Sequence, residues 1–128
     1  MYADGASLTI ELADSVEPMP QADAYLADLQ RRHPRRFSDI AVRFEHYSIY
    51  GRFEPIRELR QSRGDIWEIK TAEGRVLHFE LSATSRHKRV VRVTNCCEKS
   101  KSKTQEGRLP EHHIRKAEAI KKVDDERG

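Results

Sequence analysis

The chain has 128 residues, 24 Lys+Arg against 21 Asp+Glu, and a formal net charge of +3. That length fits one domain, residues 1–128, and excludes both a large multi-domain enzyme and a deep dinucleotide-binding fold. Charged residues reach 35% and hydrophobic residues 37%, so the core is small and its surface is unusually charged.

In chain order, the alternating Ser7–Leu12 (SLTIEL) reads as a short strand, and Glu17-Pro18-Met19-Pro20 as a break, giving a strand and loop over 1–20. Residues 22–32 place Tyr25, Leu26 and Leu29 at helical spacing, and Pro34 stops that helix. Phe37, Ile40, Ala41, Phe44 and Tyr47 recur at intervals of three and four, with Gly51 as a helix stop. The segment 22–50 therefore predicts a helical hairpin.

After Gly51 the period changes to two. Phe53–Leu59 reads as extended, closing on a loop at Ser62-Arg63-Gly64. Asp65–Lys70 sets Ile66, Glu68 and Lys70 against Trp67 and Ile69, and Ala72-Glu73-Gly74 turns the chain into Arg75–Leu81. Arg89–Asn95 gives a third strand, so 52–97 predicts an antiparallel meander. Residues 98–109 are almost devoid of apolar side chains and read as a basic loop. Pro110 opens a last helix over 110–125, with a stripe of Ile114, Ala117 and Ile120. The expected fold is α+β, with helices segregated against one face of a small sheet.

Charge is unevenly spread. Residues 1–30 carry six acids and no Lys or Arg, whereas 52–128 carry 19 basic against 13 acidic side chains. The densest basic run, Arg86 to Lys103, is opposed only by Glu98. Such a block is the electrostatic footprint of a polyanion-binding surface, or else a solvated surface paired with the acidic N-terminal third. No stretch approaches the ~18 apolar residues of a membrane span, and the N-terminus lacks a signal-peptide pattern. Adjacent Cys96 and Cys97 cannot frame a disulfide scaffold. The expectation is a cytoplasmic protein with no membrane partner.

Four short motifs occur in order: Ile56-Arg57-Glu58-Leu59, Gly64-Asp65-Ile66-Trp67-Glu68-Ile69-Lys70, Arg75-Val76-Leu77-His78-Phe79, and Lys99-Ser100-Lys101-Ser102-Lys103-Thr104 before a final helix. Their order and spacing resemble the RelE/ParE toxin superfamily, in its HigB-like, phage-derived branch. The chain departs from that pattern at Lys70 (usually Arg), at His78 (commonly Tyr), at Asn95-Cys96-Cys97, and between Thr104 and Pro110. The resemblance implies a RelE-like fold, an N-terminal helical hairpin on a mostly antiparallel twisted sheet with a C-terminal helix. It also implies the toxin of a type II toxin–antitoxin pair, an mRNA endonuclease working at the ribosome and restrained by a helix-turn-helix antitoxin. A non-nucleolytic ParE-like protein that docks on a protein target, and a small basic nucleic-acid-binding regulator, are the competing readings.

Metal-independent cleavage of RNA needs the 2′-hydroxyl deprotonated, the phosphoryl oxygens stabilised and the leaving oxygen protonated. Lys70 and Arg75 flank the Glu73-Gly74 turn and could reach one phosphate, Arg75 as clamp and Lys70 as stabilising charge. His78 has the ordinary pKa for proton transfer and belongs to the expected catalytic set, a role that fails if it lies on the face opposite Arg75, where simple alternation puts it unless a bulge intervenes. Lys99 completes the expected catalytic set, while Arg89, Arg92, Lys101 and Lys103 are expected to grip RNA. Trp67 reads as core rather than a stacking platform. Neither Cys96-Cys97 nor His112-His113 has metal-ligand spacing, and no cofactor is expected.

Overall fold

The computed structural model describes residues 2–13, 21–53, 59–71, 73–81, 88–98 and 110–126. In chain order these form β1 (Ala3–Asp4), β2 (Leu8–Leu12), α1 (Gln21–Arg32), α2 (Pro34–Tyr50), β3 (Leu59–Arg63), β4 (Ile66–Lys70), β5 (Gly74–Glu80), β6 (Arg89–Glu98) and α3 (Glu111–Glu126). The fold is α+β, with one six-stranded sheet ordered β1-β2-β6-β5-β4-β3. Every pairing is antiparallel except β2 with β6.

The helical pair is not N-terminal, contrary to expectation: two strands come first. Leu8 and Ile10 are fully buried and run parallel to β6, opposite Arg89 and Val91, so the N-terminal segment is built into the sheet. β3 runs from Leu59 to Arg63 and so takes in part of the expected loop at Ser62-Arg63-Gly64, while most of the expected extended stretch Phe53–Leu59 is not covered. Residues 54–58 lie outside the described residues. β6 continues past Asn95 to Glu98.

The helices cover both faces of the sheet and not one as expected, because alternating side chains make both faces of the central strands apolar. On one face Ile69, Val76, Val91, Val93 and Cys96 pack under α1 and α2 against Leu26, Leu29, Ile40, Phe44 and Tyr47. On the other, Ile66, Leu77, Phe79 and Cys97 pack under α3 against Ile114, Ala117 and Ile120. Each such side chain, fully buried, contributes ~1.5–3 kcal/mol. The acidic-to-basic asymmetry of the sequence becomes contact here: Asp4 pairs with Lys88, and Glu11 with Arg92 at 3.0 Å.

Local chemistry fixes the joints. Only His33 separates α1 from α2, and Pro34 takes the first position of α2, where its missing N–H costs nothing. Gly51 ends α2 with φ 71°, a left-handed cap, and donates its N–H to the Tyr47 carbonyl at 2.7 Å. Beyond the Leu12–Val93 pairing, the Gln21 side chain bonds to the β6 backbone. It accepts the Cys96 N–H at 3.0 Å and donates to the Cys96 carbonyl at 3.3 Å.

Gly74 opens β5 against Glu98, where a Cβ would collide with the Cys97 carbonyl oxygen. Gly74→Ala should therefore destabilise the fold by about 1–3 kcal/mol, read as a lower urea midpoint.

Candidate nucleic-acid interface

The face under α3 extends beyond its apolar patch into a polar end of the sheet. Register sets Arg60 opposite Glu68, Glu68 opposite Leu77, and Lys70 opposite Arg75, itself opposite Cys97. Directly opposed residues share a face, so Arg60, Glu68, Lys70 and Arg75 all lie on the α3 side. A bulge between Gln61 and Arg63 turns Ser62 out of register, and its hydroxyl donates to Glu68 Oε2 at 2.5 Å. A pocket of about 260 Å³ opens here between β3 and the start of α3, lined by Arg60, Gln61, Ser62, Arg63, Glu68, Glu111 and Ile114.

Lys70 and Arg75 are thus neighbours on one face, as expected, but in different settings. Lys70 is half-buried, whereas Arg75 is 8% exposed and lies behind Glu68, its Nε 3.6 Å from Glu68 Oε1. Its NH1 donates to the Gly74 carbonyl at 2.7 Å. Arg75 therefore serves as the buried partner of Glu68, not as an open phosphate clamp. Removing either member would strand the other's charge in the interior, the costly way to break such a pair.

His78 does not join this site. It faces the opposite side of the sheet, 2% exposed, with its ring 5.7 Å from that of Tyr47 and both ring nitrogens unpartnered. Burial, followed by the Arg89 cation, pushes its pKa down to about 3, so it is neutral near pH 7 and poorly placed to shuttle a proton.

The expected RNA-gripping arginines are also separated. Arg89 turns toward α2, donating to the Gly51 carbonyl at 2.9 Å and pairing with Glu80 at 2.7 Å. Arg92 turns toward α3, pairing with Asp124 at 2.7 Å as well as with Glu11. They point to opposite faces, and Arg92 stands five residues, roughly 16 Å, from the Cys97 level of Arg75. They do not extend one surface.

Lys99, Lys101 and Lys103 lie outside the described residues. β6 ends at Glu98, whose partner Gly74 adjoins Arg75. Trp67, expected in the core, is 36% exposed beside Gln61 and His78 in register. Cys96 and Cys97 are buried free thiols on opposite faces, and burial raises the pKa of Cys97 to about 11. Among the described residues no three His, Cys, Asp or Glu side chains are grouped to hold a metal ion, and no helix is long and apolar enough to cross a membrane.

Sequence reasoning did not single out Arg60 or Ser62. The alternation of Asp65–Lys70 already put Glu68 and Lys70 on one face; the Ser62 bulge, created by strand pairing, left no sequence signal. No protein-family model matches the chain, and no curated protein matches it.

His78 gives this chain an acid sensitivity. With its folded pKa depressed to about 3 from an ordinary 6.5, the unfolded chain binds the proton more readily. Stability is then full above about pH 6.5 and falls by roughly 1 kcal/mol per pH unit below it, until the folded pKa is reached. His78→Phe should remove this component, seen as a flatter dependence of the urea midpoint between pH 7 and pH 4.

Proposed function

We propose that the chain is a RelE-like toxin of a type II toxin–antitoxin pair that binds and cleaves mRNA at the ribosome, held inactive by a helix-turn-helix antitoxin. The carrying observation is that Arg60 and Arg63 line one pocket on the α3 face together with Glu68, while Lys70 and Arg75 lie on that same face of the sheet. The element order, with a helix pair before an antiparallel meander and a helix at the end, supports the RelE-like reading.

In this mechanism the 2′-hydroxyl gives its proton to solvent and attacks phosphorus, a 2′,3′-cyclic phosphate forms as the P–O5′ bond breaks, and the leaving 5′-oxygen takes a proton from solvent, while Lys70 supplies charge to the phosphoryl oxygens. Arg75 acts through Glu68 by fixing its carboxylate. Arg60, which has no ion-pair partner among the described residues, contacts the RNA backbone. The Lys99–Lys103 segment adds further backbone contacts.

A second reading is favoured by the burial of both Arg75 and His78, which takes these two expected catalytic groups out of contact with an RNA substrate. In it the protein docks on a protein target without cutting RNA.

Induced expression should arrest growth, and transcript-end mapping should reveal new 5′ ends within coding regions. Growth arrest with intact transcripts would favour docking. Lys70→Ala should lower cleavage on the order of a hundredfold. Arg60→Ala should weaken RNA binding and reduce the salt slope by about one. Unchanged cleavage in both variants would reject the site.

A further inference from the structure

Glu68 holds an unusual position in this pocket. Its side chain is 4% exposed. One carboxylate oxygen takes the Ser62 hydroxyl, while the other, Oε1, accepts no hydrogen bond. Arg75 Nε, 3.6 Å away, is likewise unpartnered. Buried carboxylate oxygens are almost always satisfied, and an orphan acceptor carries a desolvation penalty that an incoming donor relieves.

We propose that this pocket binds a guanine base of single-stranded RNA, with Glu68 reading the base and Arg60 meeting its phosphate; the proposal rests on the RNA-directed reading above. Four observations lead there. The volume, about 260 Å³, lies below the ~300–1,000 Å³ of pockets for drug-sized ligands and suits a single base. The acceptor wall calls for hydrogen-bond donors, while Arg60 and Arg63 in the lining repel a cationic guest. Arg63 is already matched by Glu111 and Glu118, which leaves Arg60 as the rim cation open to a phosphate. Arg60 also stands directly opposite Glu68. Its outward swing, a fast side-chain motion, gives the base its route to Oε1 and carries the guanidinium toward the phosphate.

The choice of guanine follows from donor geometry. Its N1–H and N2–H lie side by side and match a carboxylate, whereas the donors of adenine, cytosine and uracil sit next to ring or carbonyl acceptors that a carboxylate repels. Single-stranded RNA exposes that edge.

The test is equilibrium dialysis of the full-length protein against 5′-GMP, IMP, AMP, CMP and UMP, and against short oligoribonucleotides with and without one guanine. GMP should bind at least tenfold more tightly than AMP, CMP or UMP. IMP, which lacks the N2 amino group, should bind more weakly than GMP, and the guanine-containing oligomer should be preferred. Glu68→Gln should erase the preference; the GMP–IMP comparison on the unaltered protein decides the matter if that variant fails to fold. Equal binding of GMP and IMP, no base preference, or no nucleotide binding at millimolar concentration would overturn the proposal. So would capture of free GMP without preference for the guanine oligomer. Guanine preference without cleavage of any RNA would support the pocket and reject the nuclease. Cleavage without guanine preference would do the reverse.

Discussion

Burial of the central strands on both faces is the constraint from which the rest of this structure follows. β6 lies between β2 and β5, with α1 and α2 on one side and α3 on the other. A strand in that position has no solvent-facing side on which to place polar groups. Each polar side chain it carries must find a partner inside the protein. Thr94, bulged out of register between Val93 and Asn95, donates to the Leu77 carbonyl at 3.1 Å and to Asn95 Oδ1 at 2.7 Å. Asn95 in turn donates to the His113 carbonyl of α3 at 3.2 Å. These contacts tie the third helix to the sheet close to the pocket between β3 and the start of α3.

The same constraint explains why a strongly basic stretch of sequence does not become a continuous basic surface. Arg89 and Arg92 begin a strand whose residues alternate between faces, and each is drawn into an ion pair on its own side. Such pairs add only modestly to stability when half-exposed. Their larger effect is on the surface potential, since every acid of β1 and β2 that meets a β6 cation removes one charge from the field seen by a polyanion. Positive potential is left at the far end of the sheet, where Arg60 and Lys70 stand without ion-pair partners among the described residues.

Glu68 and Arg75 show how burial redistributes roles within one cluster. Both sit on the face expected to hold RNA, yet they neutralise each other beneath the surface, and Lys70 remains as the accessible charge. A desolvated pair of this kind is expensive to break from one side, which makes it a rigid backing for the pocket. Arg63 contributes from the edge strand by bridging Glu111 and Glu118, so that the α3 wall of the pocket is held to the β3 wall by ion pairs.

Local pattern was enough to place the helices and most strands. Pro34 and Gly51 punctuate α2, the spacing of Ile114, Ala117 and Ile120 marks the buried stripe of α3, and strict alternation assigns Lys70, Arg75 and His78 to their faces, since these properties depend on neighbours within a few residues. Other features depended on partners distant in sequence. The incorporation of Leu8 and Ile10 beside β6, the shift of β3 to Leu59–Arg63, and the exposure of Trp67 all arise from strand order, which periodicity does not encode. The burial of Arg75 and His78, the bulge that turns Ser62 toward Glu68, and the neutralisation of Arg89 and Arg92 were likewise decided by tertiary packing. A charge or a titratable ring acts according to the solvent and partners around it, and those are set only when the sheet closes between its two helical layers.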